Sequence, residues 1–205
     1  MVMPRWVLAV VAALLIVPGV TGCVVDGGRS VLTGSGPTPE QPPEVGDGDA
    51  ATAMARDIFD RVNDERAERG LEPVEWNGAL AEAAGDWSQE MAATGRSEHQ
   101  DVRALMDREE FSGFAGIGEN IFTASGPVPA GAAHVGWMRS DDHRINLLNP
   151  GWNRLGIGVF CAADGSVWAT QQFGRTVDAD RPPVSDELPP LEPIARPEED
   201  GPTCV

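Results

Sequence analysis

Chemistry in this chain would have to start from three histidines, His99, His134 and His143, and three cysteines, Cys23, Cys161 and Cys204. Imidazoles combined with a carboxylate are the ligand types of a catalytic zinc site that keeps one position open to water. No His-Glu-x-x-His segment is present to preset two ligands on one helical face. Ser140 stands three residues before His143, a spacing at which a hydroxyl and a base can touch on a helix. The Gly-x-Ser-x-Gly elbow that exposes a nucleophilic serine does not accompany it. His134 lies between Ala133 and Val135 and reads as a half-buried or surface side chain of a helix, not as a ligand.

Periodicity supplies the elements that must position these groups. Met54, Ile58 and Val62 recur at four-residue steps and predict an amphipathic helix over 50–69, ended by Gly70. Asn77 reads as the N-cap of a second helix with Leu80, Ala84, Trp87 and Met91 on one face, closed by Thr94-Gly95. A short helix is expected over 101–108 and another over 127–140. A turn over 141–148 follows, stopping before Pro150. Two strands, 155–161 and 166–174, are joined by Ala162-Ala163-Asp164-Gly165, whose Asp-Gly pair signals a hairpin. Helices first and a hairpin last indicate an α+β domain in which helices cover a small sheet.

The 205 residues carry a formal charge of −17, and all fifteen basic residues are arginine. Such acidity repels phosphate backbones and anionic headgroups, so neither nucleic-acid binding nor a polybasic membrane anchor is expected. It is spread along the whole chain, which suits a soluble monomer better than one binding patch. Arg5 precedes an apolar stretch over 7–20 that is short for a spanning helix and reads as an export signal. Val20-Thr21-Gly22-Cys23 closes it in the manner of a bacterial lipobox, so residues 1–22 are expected to be removed and Cys23 acylated. Acyl chains, each buried CH₂ contributing about 0.8 kcal/mol, would then hold the protein on the outer face of the cytoplasmic membrane. Arginine and glycine without lysine suit a high-GC genome and an actinobacterial type of envelope. Residues 23–49 and 176–205 are rich in Gly, Pro and acids and lack an apolar period, so a disordered tether and a solvated acidic tail should flank a domain over 50–175. With Cys23 acylated, Cys161 and Cys204 form an even pair in an exported chain and are expected to bond, clipping the tail to a strand. Cys161 as a nucleophile is the alternative, weakened by its place in a strand.

Seven segments occur in an order that resembles a known family: Val62-Asn63-Asp64-Glu65-Arg66, the run from Gly70 to Asn77, Trp87-Ser88-Gln89-Glu90-Met91-Ala92, Gly118-Glu119-Asn120-Ile121, Trp137-Met138-Arg139-Ser140, the run from His143 to Pro150, and Trp168-Ala169-Thr170-Gln171. The resemblance is to the CAP superfamily of cysteine-rich secretory, antigen 5 and pathogenesis-related 1 proteins, and to its short bacterial SCP-like branch. It implies an extracellular α-β-α sandwich with a shallow cleft lined by two histidines and acidic side chains. Matched to this sequence, the cleft histidines are His99 and His143, and Glu119 supplies the carboxylate. Animal and plant members usually place a second glutamate three residues after the cleft tryptophan, Trp137. Here that place is Ser140, which leaves two imidazoles and one carboxylate. Asn120 and Gln171 are expected to satisfy buried backbone or the cluster itself.

Three functions follow as expectations. The first is a non-enzymatic, surface-anchored binding module for a lipid, a sterol-like molecule or an envelope glycan. The second is a metal-dependent hydrolase of peptide or cell-wall material, with His99 and His143 on Zn²⁺ or another divalent cation and Glu119 as base. The third is an interaction protein with a vestigial cleft, binding through its acidic tail.

Overall fold

In a computed structural model the chain is described over residues 38–44, 49–180, 182 and 187–204, all within the compact unit Pro37–Val205. The export signal and Cys23 lie outside these residues, as does most of the tether. Among the described residues no helix is long and apolar enough to cross a membrane.

Helix α1 spans Ala50–Glu68, with the Asp49 side chain accepting from the Thr52 amide and Met54, Ile58 and Val62 wholly buried along one stripe. Gly70, at φ 65°, takes the left-handed turn that releases the chain into β1, Glu75–Trp76. Asn63 holds this connection by donating to the Val74 carbonyl and accepting from the Val74 amide. Helix α2, Gly78–Thr94, begins where Asn77 accepts from the Leu80 amide and stops at Gly95, again left-handed. Helix α3 (Val102–Met106), strand β2 (Phe114–Ala124), helices α4 (Ala130–Arg139) and α5 (Asp141–Leu147) and strands β3 (Arg154–Cys161) and β4 (Val167–Thr176) complete the order.

The four strands lie in the order β1-β3-β4-β2, with β1 parallel to β3 and the other pairs antiparallel. Alternation along β3 sorts the two faces. Leu155 and Ile157 join the core beneath α1 and α4, whereas Gly156 and Gly158 face α2. A methyl group at either glycine would fall inside the backbone of α2, so the missing side chains are what let the helix lie directly on the strand. Ser88 of α2 hydrogen-bonds the Gly158 carbonyl and the Thr170 hydroxyl across this seam. The expected α-β-α sandwich is therefore present.

Three local expectations need revising. Residues 141–147 form helix α5 and not a turn, with Leu148 as its C-cap: Asp141 and Asp142 sit in its first turn, where carboxylates suit the free amides, and the Ser140 carbonyl accepts from the Arg144 amide. Strand β2 had no counterpart in the sequence reading. The helix expected over 127–140 starts only at Ala130, because Pro129 serves as its extended N-cap.

The solvated tail is the fourth revision. Residues 187–204 contain no helix or strand, but they lie along α1, α4 and α5 as a strap. Arg61 donates to the carbonyls of Pro197 and Asp200, Arg69 to those of Leu191 and Pro193, and Arg144 to that of Pro189. The first amides of α4, Ala130 and Gly131, donate to Pro202 and Asp200. Arg61 is fully buried and Arg144 nearly so, and a buried guanidinium without acceptors is costly. The strap supplies those acceptors from its own backbone, so it needs no regular structure to dock. Leu191 and Ile194 pack on the core, and Cys204 is disulfide-bonded to Cys161 as expected.

Candidate functional site

His99 lies on the segment between α2 and α3. Trp87 of α2 donates its indole N–H to the Glu98 carbonyl at 3.0 Å and so fixes the backbone beside the histidine. Glu119 lies on β2, the outer strand of the sheet, opposite Gln172 of β4. His143 belongs to α5.

Nδ1 of His99 is 2.7 Å from Oε1 of Glu119. The carboxylate is buried, and three further donors converge on it: the Gln100 amide at 3.2 Å on Oε1, and the side-chain amides of Gln100 at 2.8 Å and Gln172 at 2.6 Å on Oε2. Glu119 thus orients the His99 ring, leaving Nε2 outward on a side chain that is 56% exposed. Because a carboxylate only accepts, Nδ1 carries the proton in this contact and Nε2 of the neutral ring is an acceptor.

The neighbouring residue of β2 points to the other face. Asn120 donates to Oε1 of Gln171 and to the His143 carbonyl, and its own oxygen accepts from Asn146, which also donates to the Glu119 carbonyl. Asn120 and Gln171 therefore tie β2 and β4 to α5. Arg66 secures the far end of that helix through the carbonyls of Glu72, Leu147, Asn149 and Trp152. Its burial lowers the guanidinium to about 10, still cationic at neutral pH. The His143 ring is half-buried and no described residue hydrogen-bonds it. Burial pushes it below the ordinary histidine value, as does the charge of His99 close by, with Asp142 opposing. The two imidazoles are thus electrostatic neighbours; the His99 ring is bonded directly to Glu119, and the backbone of His143 is tied to the adjacent Asn120.

The remaining candidates take other roles. Trp137 is buried, donates to the Ile121 carbonyl at 2.8 Å and packs edge-on against Phe122, so it is an anchor behind the cleft. Ser140 joins α4 to α5, and its hydroxyl neither caps α5 nor bonds His143, so no serine–histidine pair is assembled. His134 departs from expectation: it is wholly buried and faces Glu65. Gln100, Gln172 and Trp87 escaped the sequence reading as parts of the site, whereas Asn146, expected in the turn that presents His143, does hold α5 to β2. Only the register of β2 against β4 could have marked Gln172.

Among the described residues, no group of three His, Cys, Asp or Glu side chains is arranged to hold a metal ion. Both oxygens of Glu119 are engaged by side-chain and backbone donors. A three-ligand zinc centre built on this carboxylate does not fit these residues.

The fold and the cleft together define an α-β-α sandwich carrying a histidine–glutamate pair at the outer edge of its sheet. The model of the cysteine-rich secretory protein family (CAP) matches residues 59–173, and the chain belongs to that family, in its bacterial SCP-like branch. It is 32% identical over 131 residues to the uncharacterized protein YkwD of Bacillus subtilis (strain 168), covering 62% of this chain and 49% of that one. It is 36% identical over 112 residues to the uncharacterized membrane protein YlbC of the same organism, covering 53% and 32%. A crystal structure of an extracellular protein containing a SCP domain from Bacillus anthracis superposes with a TM-score of 0.53 at 28% identity, over 62% of this chain and 41% of that one. The chain spans less than half the length of each of these relatives.

Proposed function

We propose that this chain is an exported, surface-held binding module that takes a lipid or other envelope component at the cleft and carries out no chemistry on it. The observation that carries the reading is the saturation of Glu119. A general base needs a lone pair aimed at substrate, whereas both oxygens of this carboxylate already accept from His99, Gln100 and Gln172, so Glu119 is not free to act as the base that the hydrolase reading assigns to it. What remains accessible is the exposed His99 imidazole, with the half-buried His143 ring close by, which suits recognition of a polar headgroup or a sugar hydroxyl. The acylated Cys23 and the tether place such a cleft against the envelope. The extracellular description of the Bacillus anthracis protein supports export.

Lipid and glycan recovered with the purified full chain, and its co-sedimentation with envelope-lipid vesicles, test the reading. Retention is expected for wild type and about tenfold weaker retention for His99→Ala combined with His143→Ala. Turnover of peptide or cell-wall substrate that Glu119→Gln abolishes would overturn it in favour of a hydrolase.

A further inference from the structure

The Cys161–Cys204 disulfide has two unequal halves. Cys204 is only 5% exposed, and its Sγ lies 3.4 Å from the sulfur of Met54 in the core. Cys161, the last residue of β3, is half-buried. Both line an open hollow of about 450 Å³ whose other walls are mostly small side chains, Ala50, Ala51, Ala162 and Ala163, with Asp49 at its margin. Thiol–disulfide exchange requires a thiolate to reach one sulfur in line with the bond; the hollow opens onto the bond, and Cys161 is the more exposed of its two residues.

We propose that this disulfide is a thiol-addressable clasp on the strap. A thiolate of a small thiol or of a dithiol reductant attacks Sγ of Cys161. A sulfur–sulfur bond forms there as the Cys161–Cys204 bond breaks, and Cys204 departs as a thiolate that takes a proton from water. A second thiol of the reductant, as thiolate, attacks the mixed disulfide and returns Cys161 to the thiol, which also takes its proton from water. The reductant is oxidised to its disulfide, and two electrons pass to the pair of cysteines. The strap then keeps its ion pairs and the packing of Leu191 and Ile194, and its last segment is held by the Ala130 and Gly131 amides and by Arg61. The two backbone bonds to α4 exchange with water at little net cost, so the end of the strap frays from Cys204 back to Asp200 and bares the amides of Ala130 and Gly131, while Arg61 holds the segment behind it. Asp49 at the margin selects among thiols, disfavouring anionic ones.

The test is reduction of the full chain under native conditions, with 2-mercaptoethanol, cysteamine and mercaptoacetate as thiols and alkylation as the quench. The expected rate is proportional to thiol concentration and faster for cysteamine than for mercaptoacetate, with the trapped adduct on Cys161 and the alkyl group on Cys204. In the reduced protein, and in Cys161→Ser combined with Cys204→Ser, the amides of Ala130 and Gly131 should exchange roughly tenfold faster or more while the β3–β4 ladder keeps its protection. A rate independent of thiol concentration, an adduct on Cys204, or unchanged protection of Ala130 and Gly131 would overturn the proposal.

Discussion

Nε2 of His134 on α4 lies 3.3 Å from Oε1 of Glu65 on α1, with both side chains wholly excluded from solvent. The same oxygen accepts from the amide of Ala195 at 2.7 Å, so one carboxylate joins two helices and the strap. Burial pushes His134 below the ordinary 6.5, against the pull of Glu65. Burial would raise Glu65, but hydrogen bonds from His134 and Ala195, with the charges of His134 and Arg69, hold it below the ordinary 4.5. Unfolded chains therefore take up protons at both positions before folded ones do. The histidine's contribution is full above 6.5 and is lost as pH falls towards its folded value. The glutamate's is present above 4.5 and is lost as pH falls through its own. Urea midpoints measured across buffers from neutral to acid should fall, and His134→Gln should flatten the upper part of that fall. An unchanged slope would refute the assignment.

The cleft imidazoles should report on each other. His143 is held below 6.5 first by burial and then by the charge of His99. In a proton-detected titration its midpoint should lie under that of an unstructured histidine, and His99→Ala should move it part of the way back up. A midpoint indifferent to His99→Ala would mean that the rings do not share a cleft in solution.

Contact between α2 and the sheet sets up a matched pair of substitutions. Gly158→Ala drives a methyl into the backbone of α2, an overlap that nothing flexible can relieve, and should cost about 3 kcal/mol or more. Gly85→Ala adds a methyl that meets nothing within 4 Å in a helix interior, and should gain up to about 1 kcal/mol. Chemical denaturation of the two variants separates close approach from backbone freedom.

Arg66 offers a test of fork geometry. Its guanidinium serves four carbonyls that a single ammonium cannot reach together, so Arg66→Lys should cost about 2–4 kcal/mol and loosen the end of α5. Arg56→Lys on the exposed face of α1 should stay within about 0.5 kcal/mol. Equal losses in the two would show that charge alone, and not planarity, matters at residue 66.

Features set by neighbours in sequence were legible in advance, and features set by distant pairing were not. Asn77 and Gly95 delimit α2 because capping is a local transaction between side chain and adjacent amides. Strand β2 was hidden because Gly116, Gly118, Glu119 and Asn120 break the apolar alternation; their polarity answers partners on α5, β4 and the His99 segment. β1 is two residues paired in parallel with β3 and has no local signature. His99, Glu119 and His143 emerged from a family-like order of segments, whereas Gln172 became visible only once β4 was in register with Glu119. The strap defeated composition arguments outright. Proline-rich, acidic sequence cannot build a core of its own, but it can still dock by giving its carbonyls to Arg61, Arg69 and Arg144.

Asp49, at the head of α1, and Cys204, at the close of the strap, line the same hollow beside the β3–β4 hairpin. The head of α1 and the end of the strap therefore meet at one pole of the domain. A short peptide bridging them, with new ends opened elsewhere on the surface, should yield a permuted protein of the same architecture. Fluorophores attached beside residues 49 and 204 would report one location, not two.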